Sequence, residues 1–232
     1  MRALATITPS ANIVVEATTI AMLRDLPGLV PVFSRTPVPD GLPDTQDWPN
    51  ILRAAELLAT AKPAAILWNG SKGGVIGLEA DRELTRRITG ATGIPADTSA
   101  LALERALTAR GATRLGLITP YDDAYTARLL AAFARQGWAV AAESHLGMND
   151  NLAYASVAGE TIRAQAREVA PHCDLILAWC TNYPAGFEAA AIEREMGKPC
   201  WDATALGVVA LLRAGGVVAR PDAALWGSVV AG

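Results

Sequence analysis

Two short stretches share a plan and differ at one reactive position. In "DLILAWCTNYPAG", residues 174–186, Cys180 stands where an apolar run breaks into a polar turn. In "AAILWNGSKGG", residues 64–74, the same kind of run breaks at Asn69. A thiol at such a break is either a packed small hydrophobe or a reactive group, and the rest of the chain must decide. Trp68–Asn69 recurs as Trp179–Cys180 at an offset of 111 residues, and "ITP" at Ile7–Pro9 recurs at Ile118–Pro120 at the same offset. A third pair, "GIPADTSAL" from Gly93 and "GKPCWDATAL" from Gly197, matches at an offset of 104 to 105. Two copies of one unit therefore account for most of the chain.

The elements that carry these stretches are short apolar runs alternating with longer amphipathic segments. Strands are predicted at 2–8, 29–34, 64–69, 113–119, 138–143, 174–180 and 199–201. Helices are predicted at 13–25, 46–61, 79–90, 99–110, 122–136, 152–169, 185–196 and 203–214. Strands rich in Ile, Leu, Val and Ala, each followed by a helix, imply parallel sheets covered on both faces, an α/β chain. In such sheets ligands bind beyond the carboxyl ends of the strands, where Thr8, Asn69, Thr119 and Cys180 all fall. Two lobes related by a pseudo-twofold axis would place Asn69 and Cys180 on opposite sides of one cleft. Free amides at the helix starts after these strands favour a bound carboxylate. The first lobe is expected to comprise 1–97 plus 205–232, and the second 98–204. The Pro-rich segment "TPVPDGLPD" at 36–44 is long enough to lie over something.

Composition narrows the partners. With 51% hydrophobic and 19% charged residues, the 232-residue chain suits a sizeable buried core. A net charge of −3 without a basic run argues against nucleic acid and anionic membrane surfaces. No window reaches the roughly 18 uninterrupted apolar residues of a membrane span, and the N-terminus lacks a signal-peptide layout. Three irregularly spaced cysteines form no disulfide framework, which fits a reducing cytoplasm. Two histidines, His145 and His172, make no Cys/His cluster for zinc or iron and read as solvated loop residues. "GSKGG" matches neither phosphate-loop pattern. Cys173 and Cys200 read as core, Trp201 as pocket wall or core, and Asp97 and Asp202 as caps of the helices that follow. Asp122 and Asp123 read as first-turn charges that complement a helix dipole.

The ordered set "TPSANIVVE" at 8–16, "NGSKGGVIG" at 69–77, "TPY" at 119–121, "DN" at 150–151, "CTN" at 180–182 and "GKP" at 197–199 resembles the aspartate/glutamate racemase superfamily, in its maleate isomerase and arylmalonate decarboxylase branch. The resemblance covers nearly the whole chain. It implies two Rossmann-like lobes, no metal and no organic cofactor, and a cysteine at each strand end in members that isomerise or racemise. Carried over, the second cysteine is Cys180 and the first position is Asn69. Asn12 and Asn151 match binding asparagines. Ser71, Tyr121, Thr181 and Asn182 fall where carboxylate-binding groups occur, and Gly70 stands where the family often has threonine. Lys72 brings a cation to the loop that the family pattern does not include.

An amide is neither nucleophile nor base near neutrality, so Asn69 cannot replace the missing thiol. A cofactor-free decarboxylase needs one proton donor only, and the decarboxylase branch also lacks the first cysteine. The resulting expectation is decarboxylation of a malonate-type diacid, with Cys180 protonating an enediolate. The alternatives are a maleate isomerase-like or racemase-like isomerase with a replaced first thiol, and a carboxylate-binding pseudoenzyme. The expected partner is a small carboxylic or dicarboxylic acid, and a homo-oligomer is compatible with the sequence.

Overall fold

The computed structural model describes residues 1–37, 47–111 and 113–231. Within them, β1 (Arg2–Pro9), β2 (Leu29–Thr36), β3 (Ile66–Trp68) and β4 (Ala96–Thr98) form one sheet in the order β2-β1-β3-β4. A second sheet, in the order β6-β5-β7-β8, is made of β5 (Arg114–Tyr121), β6 (Ala139–Met148), β7 (Leu175–Ala178) and β8 (Cys200–Asp202). Every strand pair is parallel. The two orders correspond strand for strand, so the repeat at 111 residues reflects two copies of one architecture. Parallel pairing requires crossovers, and helices supply them. In chain order the helices are α1 (Val14–Leu23), α2 (Trp48–Ala59), α3 (Gly73–Ile76), α4 (Leu78–Thr92), α5 (Ser99–Arg110), α6 (Asp123–Arg135), α7 (Asn151–Tyr154), α8 (Gly159–Val169), α9 (Ala189–Met196), α10 (Ala203–Ala214) and α11 (Ala223–Trp226).

The centre of each sheet is sealed from water. Leu4 to Thr8 of β1 and Leu115 to Tyr121 of β5 are buried throughout, as strands covered on both faces must be. α10, "ATALGVVALLRA", is apolar nearly all round and accordingly buried, packing on α5 and α1 and behind β3 and β4. The last turns instead pack on α9 and β8. There the Glu193 carboxylate accepts from the Ser228 amide (2.9 Å), the Ser228 hydroxyl (2.6 Å) and the Cys200 amide (2.9 Å). Among the described residues no helix is long and apolar enough to cross a membrane.

The structure departs from the sequence reading in several places, among them the short helices α3 and α11, which were not expected. β4 was not expected: "ADT" is three residues without an apolar run, and only its pairing with β3 makes it a strand. The helix expected at 152–169 is broken over 155–158 into α7 and α8. α7 is anchored by Asp150, which accepts from the Leu152 amide at 2.9 Å, and by the Tyr154 hydroxyl, which donates to the Met148 carbonyl at 3.3 Å. Gly159 opens α8 where any side chain would overlap the Glu188 carboxylate. Thr98, and not Asp97, caps α5 by accepting from the Leu101 amide at 3.1 Å, while Asp97 pairs with Arg105. His145 lies on β6, bonded to Asp123 and Glu143, and not in a loop. Trp201 is core, its indole donating to the Ser228 hydroxyl at 3.3 Å. The Pro-rich stretch beyond residue 37 lies outside the described residues.

Candidate active site

The loops that leave β3 and β7 meet. Trp179, fully buried at the end of β7, donates its indole N–H to the Ser71 carbonyl at 3.1 Å. Gly74 has no room for a side chain because the same indole lies against it. Phe133 supports the ring from α6 at 6.0 Å between centroids. The loop of one sheet is thus drawn onto the loop of the other. This sets the Ser71 hydroxyl 3.0 Å from that of Tyr121, the last residue of β5. Tyr121 is fixed by rings on two sides, Tyr125 at 4.3 Å and Tyr154 edge-on at 5.6 Å. Its hydroxyl lies beside the Cys180 thiol, close enough for each group to shift the other. Ser71, Tyr121 and Cys180 therefore form one polar chain across the junction of the sheets.

Burial governs the charge state of that chain. Cys180 is 3% exposed, and desolvation pushes its thiol up to about 12. The Tyr121 hydroxyl and the Asn182 amide oppose this by favouring thiolate, while Asp202 adds to it. At neutral pH the thiol keeps its proton. Tyr121 is likewise held well above the ordinary phenol value, chiefly by desolvation. Cys173 and Cys200 are buried thiols pushed in the same direction by desolvation.

A second set of side chains clasps the sheets together beside the thiol. The Asn12 amide donates to the Thr181 hydroxyl at 3.0 Å and accepts from the Val15 amide at 3.0 Å. The Asn182 oxygen accepts from the amides of Ile13 (3.0 Å) and Val14 (3.2 Å), which open α1. Its nitrogen donates to the carbonyls of Ala11 (3.3 Å) and Asn151 (2.6 Å). The side chain of Asn151 itself is half-buried. Asn69 is engaged at both ends of its amide: its oxygen accepts from the Ser99 hydroxyl at 2.7 Å, and its nitrogen donates to the Thr204 carbonyl at 3.3 Å. Gly207 of α10 lies against the same amide, where a side chain would come within 2.8 Å. Gly70 is required by Trp68, whose ring lies 2.7 Å from where a Cβ would stand.

Comparison with known proteins shows the family and the fold. The family model described as arylmalonate decarboxylase matches residues 49–225. The chain belongs to the arylmalonate decarboxylase family. Within the aspartate/glutamate racemase superfamily it falls in the branch shared with maleate isomerases. It is 26% identical to the maleate isomerase of Nocardia farcinica (strain IFM 10152) over 227 residues, 92% of this chain and 90% of that one. The crystal structure of the maleate isomerase Iso from Pseudomonas putida S16 superposes with a TM-score of 0.87 at 23% identity, covering 98% and 99% of the two chains. Unliganded arylmalonate decarboxylase superposes with a TM-score of 0.83 at 24% identity, covering 100% and 99%.

For this member of the family, the sequence-derived residues sort into two groups, with Asn69 apart from both. Ser71, Tyr121 and Cys180 converge in one polar chain. Asn12, Thr181, Asn182 and the Asn151 carbonyl form the adjoining clasp, and Asn69 bonds to α5 and α10. Sequence reasoning missed Tyr154, the cross-sheet bond of Trp179, and the paired hydroxyls of Ser99 and Thr204. The last two carried a signal: they occupy matching places in "DTSAL" and "DATAL". The Thr204 hydroxyl donates to the Thr181 carbonyl at 3.0 Å, so the first turns of α5 and α10 brace the two strand-end loops.

Proposed function

We propose that this chain is a cofactor-independent decarboxylase of malonate-type diacids. The observation that carries this reading is Cys180: a buried thiol that holds its proton at neutrality, opposite a strand end that offers only an engaged amide. In this reading the first lobe supplies Ser71, and the second supplies Tyr121, Thr181 and Cys180. The hydroxyls of Ser71, Tyr121 and Thr181, with the loop amides, hold the retained carboxylate. The bond to the other carboxylate breaks, carbon dioxide leaves, and the electron pair remains as an enediolate stabilised by those donors. The Cys180 S–H proton then passes to the α-carbon. The thiolate left behind is held by the Tyr121 hydroxyl and the Asn182 amide until it takes a proton back from solvent. Protonation from one face only makes the product a single enantiomer.

The likeness to a maleate isomerase favours a second reading, isomerisation through a thiolate that adds to the alkene. The charge state of Cys180 opposes it, because a thiolate is scarce when the thiol sits at about 12. Cys180→Ala tests the first reading. It should abolish carbon dioxide release while keeping the fold, since a methyl in place of a small buried thiol leaves little cavity. Undiminished release in a folded variant would remove Cys180 from the reaction.

A further inference from the structure

Asp202 is a buried carboxyl that the proposed reaction does not use. It ends β8 in register with Ala178 of β7, two residues before Cys180. Its Oδ1 caps α10 by accepting from the Ala205 amide at 2.8 Å. Its Oδ2 is buried and, among the described residues, has no hydrogen-bond partner. The turn that follows Cys180 closes over it, so that a side chain at Gly186 would come within 3.0 Å of Oδ1. Thr204, two residues on, ties the same helix start to the loop of Cys180 through the Thr181 carbonyl. A cap needs one oxygen, and serine or asparagine serves as well as aspartate. A second buried oxygen without a partner is a cost that capping does not explain.

We propose that Asp202 is a positioning residue for the reaction, its carboxylate lying behind Cys180 and holding that thiol in its proton-donating form by repelling the thiolate. This rests on the reading of Cys180 as the acid. The ionisable groups that act with Cys180 are Tyr121 from β5, Tyr154 from α7, Tyr183 from its own loop, and Asp202, whose charge raises Cys180 and also Cys200 on its far side. Burial lifts Asp202 itself to about 7. Its charge is therefore present above neutrality and withdrawn below it. A thiolate formed at Cys180 beside that charge is driven to recover its proton, which resets the site for the next turnover.

The test compares the rate at which a small thiol reagent modifies Cys180 in the parent and in Asp202→Asn, read on the Cys180 peptide by mass spectrometry. Only the thiolate reacts, so removal of a like charge predicts a severalfold faster reaction in the variant at about pH 8.5. At about pH 5.5, where the parent carboxyl is protonated, the ratio should fall to about one. Asp202→Ser, which also keeps the cap, should behave the same. A ratio that does not change with pH would mean altered access and not charge, and would overturn the proposal. Loss of the fold in both variants would overturn it too, because the carboxylate would then serve the fold. The readout needs no turnover, so it stands apart from failure of the decarboxylase reading.

Discussion

Asn182→Ala should be among the most destabilising single changes at the junction of the sheets. The side chain makes four hydrogen bonds, two accepted from the start of α1 and two donated to the carbonyls of Ala11 and Asn151. The Val14 amide is buried, and orphaning it costs about 1–3 kcal/mol. The other three bonds are part-buried, and each contributes about 0.5–1.5 kcal/mol. The expected loss is about 2.5–7.5 kcal/mol, a large share of the roughly 5–15 kcal/mol that holds a typical domain folded. Thr181→Val removes only the acceptor of the Asn12 amide and should cost about 1–2 kcal/mol. Urea denaturation of the parent and both variants at one pH measures the series. An Asn182→Ala variant within about 1 kcal/mol of the parent, or less affected than Thr181→Val, would refute the clasp.

Two further predictions concern stability. The folded-state value of Asp202 lies near 7, above its ordinary 3.8, so its favourable contribution is complete below the unfolded value and is lost as pH rises through about 7. The parent should lose up to about 4 kcal/mol from this group between about pH 4 and about pH 8, and Asp202→Asn should flatten that part of the profile. Asp81, raised to about 7 chiefly by desolvation, adds a loss of the same sign that the variant retains. Denaturant midpoints across pH measure it, and parallel profiles for parent and variant would contradict it. Gly70→Ala should cost about 1–3 kcal/mol by forcing Trp68 off its seat. A neutral or stabilising effect in the same assay would show that the ring has room to move.

Much of the architecture was legible because the repeat carries it. The offset of 111 residues marks β1 with β5 and β3 with β7, and the observed sheet orders correspond in those terms. Elements defined by partners rather than by their own residues were not legible. β4 exists only through its ladder with β3, and α8 starts at Gly159, where the Glu188 carboxylate occupies the space a side chain would take. The candidate site divides in the same way. Cys180 stands out as a polar residue closing an apolar strand, whereas Ser71 and Tyr121 were picked out by the family resemblance. Whether an amide such as that of Asn182 or Asn69 meets a ligand or the other lobe is decided by residues distant in the sequence, and no local pattern reports it. Asp202 was readable as a cap, but nothing in its local sequence reports that its second oxygen is buried without a partner.

The central claim is that Cys180 delivers a proton to a carbanion formed by loss of carbon dioxide. It is tested most directly by following 2-aryl- and 2-alkylmalonates, with maleate alongside, by mass spectrometry and chiral chromatography in deuterium oxide. The account predicts that a malonate loses the mass of one carbon dioxide, gains a single deuterium at the α-carbon, and yields one enantiomer. Conversion of maleate to fumarate at unchanged mass, with the malonates left intact, would contradict it.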